Sequence, residues 1–297
     1  MITPTFLKPS CKVGIISTAR AISTKEITPA IQWLENNDFQ VVIGDTIDKK
    51  YHQFAGDDTL RTNDLQAMLN NPNIDAIWCA RGGYGTARLL DKLDFSAFLS
   101  YPKWILGYSD VTALHWHLQH LGIASAHCSM PINLKTNTLD AISSIKKFLL
   151  GEKIEYEWQN TLSYPAQQIK GECIGGNLSV IYSLLGSISK IETKGKILLL
   201  EDVDEYLYHT DRMLLNLVRN GIFNDLQAVV VGVFSQMHDN TIPFGKNAYE
   251  IIAEHCAPFG FPIIFNAPFG HIEDNRLFPL GKTIDIQLDS QNVKISF

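Results

Sequence analysis

The sequence predicts an α/β protein in two parts, a parallel sheet covered on both faces and then a smaller mixed α+β domain. Three observations carry this. Through the first half, short β-rich runs alternate with amphipathic stretches of helical spacing, the pattern of parallel strands joined by helical crossovers. After Gly151 that rhythm stops: residues 152–168 show polar–apolar alternation and a Pro165 turn with little helical signal, and they are read as a linker. At about 150 residues per domain, 297 residues make two compact units or one large one. The expected division is 1–151, the linker 152–168, and 169–297.

In order along the chain, Lys12–Ser17 reads as a buried strand and Gln40–Gly44 as a second. Between them Ile27, Ile31 and Leu34 recur at helical spacing behind the capping candidates Ser23 and Thr24. Asp75–Cys79 is a third strand, Trp104–Tyr108 a fourth and Ile123–Ala126 a weaker fifth. Helical patterns fill the gaps at Asp58–Leu69, Thr86–Leu93, Val111–Leu121 and Leu139–Leu149. In the second part, helices are expected at Asn177–Leu185, Tyr206–Asn220 and Lys246–Ala257, among strands Lys196–Leu200, Ala228–Val233 and Ile263–Phe265. The end is β-like, with Thr283–Leu288 and Val293–Ile295.

Composition removes several function classes. Hydrophobic residues at 45% against 19% charged give the chain a substantial core, so it is not a disordered tail. The 25 basic and 31 acidic residues leave a net charge of −6 with no basic run longer than a pair, so no nucleic-acid partner is expected. The apolar run Ala228–Phe234 falls far short of the roughly 20 residues of a membrane span. The N-terminus has no apolar h-region or small-residue cleavage site, so no signal peptide is expected. The five cysteines (Cys11, Cys79, Cys128, Cys173, Cys256) are odd in number and dispersed, as in a reduced cytoplasmic enzyme.

Four segments at strand ends are candidates for chemistry. Cys79–Thr86 places Arg81, Gly82 and Gly83 where a strand turns into a helix. Paired glycines there either shape a tight turn or aim backbone N–H groups at an anion. Gly107–Thr112 puts Ser109 on a similar elbow, although Val111 breaks the G-x-S-x-G pattern, and Ser109 or Asp110 is equally suited to capping the helix. Leu198–Glu205 ends a buried strand in acidic residues. Asp204 and Glu205 suit a helix N-terminus, whereas Glu201 abuts the apolar run and faces a partly buried site. Pro268–Asn275 carries His271 in a loop after a strand. His115, His117 and His120 share one helix without a metal motif, and no cofactor is expected. A serine nucleophile needs a base, and the base a carboxylate; Ser109, Glu201 and His271 supply the types in that chain order.

Six strings, in order between residues 12 and 281, resemble the LD-carboxypeptidases: AlaArgGlyGlyTyrGly (80–85), GlyTyrSerAsp (107–110), GlyGlyAsnLeuSer (175–179), LeuLeuGluAspValAspGlu (199–205), AspArgMetLeu (211–214) and ProPheGlyHis (268–271). These are serine peptidases that trim cytoplasmic tetrapeptides from peptidoglycan turnover. The resemblance implies a flavodoxin-like N-terminal domain, a smaller swivelling C-terminal domain and a homodimer. It also implies a triad of Ser109, Glu201 and His271 that hydrolyses the bond between an L-centred diamino acid and terminal D-alanine. The oxyanion is then met by the N–H groups of Asp110 and Gly83, with Gly82 the alternative. Arg81 is either a clamp for the terminal carboxylate or a structural ion pair. One departure is Asn275–Gly281, where the family tends to show Asn-x-Thr-Leu-Pro-Leu-Gly; it leaves the triad in place and leaves open whether substrate fit differs there. Rival readings are a microcin C immunity peptidase acting on an aminoacyl-nucleotide amide, a non-catalytic ligand-binding module of the same fold, and an α/β-hydrolase esterase.

Overall fold

The structure is a computed structural model and describes residues 1–297. Five parallel strands build the first sheet: β1 (Lys12–Ile16), β2 (Gln40–Ile43), β3 (Ala76–Cys79), β4 (Trp104–Gly107) and β5 (Ser125–His127). Their order, β2-β1-β3-β4-β5, is the flavodoxin order. All four residues of β3 and of β4 are buried, as strands covered on both faces must be, whereas the edge strand β2 is not. The covering helices are α1 (Thr24–Glu35), α2 (Asp58–Asn70), a short α3 (Ser96–Ser100), α4 (Thr112–His120) and α5 (Leu139–Leu149).

Thr86–Leu93, expected as one helix, is two short 3-10 turns, Thr86–Arg88 and Leu90–Lys92. Tertiary contacts override the local pattern here. The Asp110 carboxylate accepts from the N–H groups of Gly85 and Thr86 at 3.3 and 2.9 Å, and Arg61 donates to the Gly85 carbonyl at 3.1 Å.

The second sheet contains β6 (Glu155–Asn177), β7 (Lys196–Val203), β8 (Ala228–Ser235) and β9 (Ile263–Ile264), all parallel, with β11 (Thr283–Ser296) antiparallel on β6. Crossovers α6 (Leu178–Leu184), α7 (Leu207–Arg219) and α8 (Ala248–Cys256) join the parallel strands. No helix is long and apolar enough to cross a membrane.

The stretch read as a linker needs correction. From Glu155 onward it is the first part of β6, paired with β11 from Ser296↔Glu155 to Leu288↔Gln167. Its polar–apolar alternation is the period of a strand with one wet face. Pro165, which has no N–H to give, sits where the register shifts between Leu288 and Ser290. The halves also interlock. β10 (Phe278–Leu280), from the C-terminal half, pairs antiparallel with β5 of the first sheet. Each of the two large apolar clusters draws on both halves, one joining Ile77 and Ile105 to Leu198 and Val229, the other Val13 and Trp78 to Leu199 and Ile264. Within Asn275–Gly281, Leu277 and Phe278 are fully buried in the second cluster, so the departure noted above is a matter of packing and not of a surface that meets substrate.

Candidate active site

The C-terminal ends of β3, β4 and β7 converge. Ser109 follows β4 with φ of +61°, a left-handed conformation that a non-glycine residue holds only when its surroundings enforce it. The backbone beside it is crowded: a Cβ placed on Gly82 would lie 3.2 Å from Ser109 Oγ. Glu201 sits near the end of β7, wholly buried. His271 arrives on the loop after β9, laid against β8 by the Val233 N–H donating to the Phe269 carbonyl at 3.0 Å. The buried Asn275 side chain then fastens the turn, accepting from the Gly270 N–H at 3.0 Å.

These placements bring the three predicted side chains into one line. His271 Nδ1 lies 2.7 Å from Glu201 Oε2, and His271 Nε2 lies 3.0 Å from Ser109 Oγ. A carboxylate only accepts, so Nδ1 carries the proton it donates to Glu201, and Nε2 is left to accept from the serine hydroxyl. Burial pushes the Glu201 carboxyl up, but the charge and hydrogen bond of His271 outweigh it and hold the group below its ordinary value. For His271, burial pulls the imidazole down, and the Glu201 charge and hydrogen bond reverse this to a net rise. The Tyr108 ring packs on the His271 ring with centroids 4.9 Å apart. Asp202, next to Glu201, is driven up to about 7 by burial and by its charged neighbour, against the N–H groups of Ser179 and Val203 at 2.9 Å that favour its ionised form.

A cavity of about 440 Å³ opens beside this line, bordered by Arg20, Arg81, Gly82, Gly83, Tyr108, Met130, Asp204 and Glu205 among others. The N–H groups of Gly82 and Gly83 have no acceptor within the protein. The Asp110 carboxylate is buried and its pKa raised by burial; it caps the 3-10 turn at Thr86 and not its own helix, and so ties the serine elbow to the glycine turn. Arg81 borders the cavity, but its Nη1 donates to the Ala21 carbonyl at 3.1 Å and lies 3.8 Å from Glu26 Oε1.

Sequence reading overlooked Arg20, whose signal was its place just past the first strand. The GlyGlyAsnLeuSer string also gains a place. The Asn177 N–H donates to Thr112 Oγ1 at 3.1 Å and its side-chain amide to Asp202 at 2.9 Å, joining α4, which follows Ser109, to the strand of Glu201. No group of three or more histidine, cysteine or carboxylate side chains is arranged to hold a metal ion.

Residues 13–128 match the LD-carboxypeptidase N-terminal domain, and residues 170–286 match the LD-carboxypeptidase C-terminal domain. A probable murein peptide carboxypeptidase of Bacillus subtilis is 31% identical, over 94% of this chain and 89% of that protein. A murein tetrapeptide carboxypeptidase of Pseudomonas aeruginosa is 29% identical, over 92% of each chain. In fold, the chain superimposes on the crystal structure of a muramoyltetrapeptide carboxypeptidase from Oxalobacter formigenes with a TM-score of 0.85, at 24% identity over 95% of this chain and 98% of the other. It also superimposes on a microcin C7 self-immunity protein solved with aspartyl sulfamoyl adenosine, with a TM-score of 0.88 at 22% identity, over 100% and 99% of the two chains. With both domains matched in order and the relatives aligned almost end to end, the chain belongs to the LD-carboxypeptidase family.

Proposed function

We propose that this protein is a serine LD-carboxypeptidase that removes the terminal D-alanine from peptidoglycan-derived tetrapeptides, at the bond that follows an L-centred diamino acid. The observation that carries this reading is the unbroken line from Ser109 Oγ through His271 to Glu201, at 3.0 and 2.7 Å. In it, Ser109 Oγ attacks the scissile carbonyl while His271 Nε2 takes the hydroxyl proton, and Glu201 stabilises the imidazolium. The oxyanion is received by backbone N–H groups of Asp110 and of Gly83 or Gly82. Each such donor is worth about 10²–10³ in turnover. His271 then returns the proton to the leaving D-alanine nitrogen, and water, activated by the same imidazole, releases the shortened peptide from Ser109.

Purified protein incubated with a tetrapeptide is expected to release free D-alanine, and Ser109→Ala to abolish that release while melting at the wild-type temperature. Retention of more than about a tenth of the rate in Ser109→Ala removes the serine from the mechanism. An aminoacyl-nucleotide amide belongs in the same assay, because the fold is shared with the microcin C7 self-immunity protein. Preferential cleavage of that compound reverses the substrate assignment and leaves the triad standing. The reading carries the expectation of a cytoplasmic homodimer, which cell fractionation and light scattering check.

A further inference from the structure

The cavity beside Ser109 is bordered by two arginines whose surroundings differ. Arg81 is engaged by the Ala21 carbonyl and by Glu26, which also accepts from the Ser23 N–H at 2.8 Å where α1 begins. Arg20 enters the hydrogen-bond network only through its backbone: its carbonyl accepts from Ser17 Oγ at 2.7 Å, and its N–H reaches the Gly82 carbonyl at 3.4 Å. Its guanidinium has no acceptor in the protein.

The stem of Arg20 is seated on the glycine turn. A Cβ on Gly83 would come within 2.6 Å of Arg20 Cγ and Cδ, and φ of +115° excludes other residues there independently. Gly82, one residue earlier, presses against Ser109. Consecutive residues, their Cα atoms about 3.8 Å apart, therefore touch the nucleophile on one side and Arg20 on the other. The loop after β1 and the turn after β3 also flank the point where the strand order reverses, the place where open α/β sheets bind ligands.

We infer that Arg20, and not Arg81, reads the terminal carboxylate of the substrate. The inference rests on the reading of Ser109 as the nucleophile of a carboxypeptidase. In a peptide cut at its last bond, only the amide nitrogen and one Cα separate the attacked carbon from the carboxylate carbon, so the anion lies about 4 Å past the site of attack. A guanidinium meets a carboxylate with two parallel N–H donors. The C-terminal half lines the same cavity with Asp204 and Glu205, which repel that anion, so the peptide's end is directed to the Arg20 side. Arg81, held by the Ala21 carbonyl and neutralised by Glu26, does not provide the fork.

The test compares the tetrapeptide with its C-terminal amide in wild type, Arg20→Gln and Arg81→Gln, with thermal melts as the folding control. Wild type is expected to favour the free acid by about 10- to 150-fold, the range of a hydrogen bond to a charged group. In Arg20→Gln that ratio should fall close to one, through a raised KM on the acid with kcat on the amide little changed. Arg20→Lys should regain part of it as a point charge. Arg81→Gln should keep the wild-type ratio. Full preference for the acid in Arg20→Gln overturns the inference, as does its collapse in Arg81→Gln alone. Binding separates this from the activity itself. In a Ser109→Ala background, calorimetry with a peptide ending in D-alanine should show the same loss of acid preference on Arg20→Gln. If wild type releases no D-alanine, the functional reading fails, and the binding result still decides the role of Arg20.

Discussion

Glu201 has two carboxylate oxygens and a single partner. Oε2 accepts from His271, while Oε1 is buried with no hydrogen bond. A buried carboxylate left half-satisfied is held ionised chiefly by the imidazole it orients, so the two residues depend on one another. Glu201→Gln keeps the shape and removes the charge, and D-alanine release should fall by about 10⁴-fold, the scale of a misoriented catalytic imidazole. The pH profile gives a separate readout. His271 must be neutral to accept the serine proton, and Glu201 raises its pKa above the ordinary 6.5, so kcat/KM should climb with pH along a limb above that value. Residual activity in Glu201→Gln should show the limb displaced downward; an unmoved limb would mean that the carboxylate does not set the base. The sign for stability is opposite. A raised imidazole favours the folded state below the ordinary histidine value, and this contribution fades as pH rises through the raised one.

At the scale of elements, the close approach of β6 to its neighbours matters most. Gly175 has φ of +119°, and a Cβ there would overlap the carbonyl oxygen of Leu199 on β7. Gly176 lies against Thr112 of α4 and Asn177 bonds to it, so this strand end holds together the elements that carry Ser109 and Glu201. Gly175→Ala combines backbone strain with overpacking and should cost about 3 kcal/mol in a denaturant melt. Gly186 has φ of +81° with open space around it, so Gly186→Ala carries strain alone and should cost about 1 kcal/mol. Equal losses at the two positions would show that the clash with Leu199 is relieved by a small shift of the strand. The neighbouring segment shows why β6 was only partly legible: a strand with one wet face and a polar linker can share the same alternation, and the first part of β6 differs only by having β11 beside it, more than a hundred residues later.

For the whole molecule, the two sheets do not behave as beads on a string. Both apolar clusters cross from one half to the other, and β10 carries the C-terminal chain back onto β5. Neither half can bury its apolar surface without the other, so calorimetry is expected to show one cooperative unfolding transition. Two resolved transitions would restore the picture of independent domains joined by a flexible connection.

Most strands, most helices and the three residue types that meet at the site could be read locally, because each leaves its mark within a few residues: a buried apolar run, a helical period, a glycine turn after a strand. Ser109, Glu201 and His271 were legible as candidates for that reason, each at or just beyond a strand end. Their meeting was not, since Ser109 and His271 are 162 residues apart and strand order brings them together. The same holds for the two arginines. From sequence, Arg81 stood out beside its glycines and Arg20 did not; the fold engages the first with Glu26 and leaves the second open over Gly83. Local propensity acts through neighbours along the chain, whereas a side chain's freedom to bind is decided by the groups that packing sets around it.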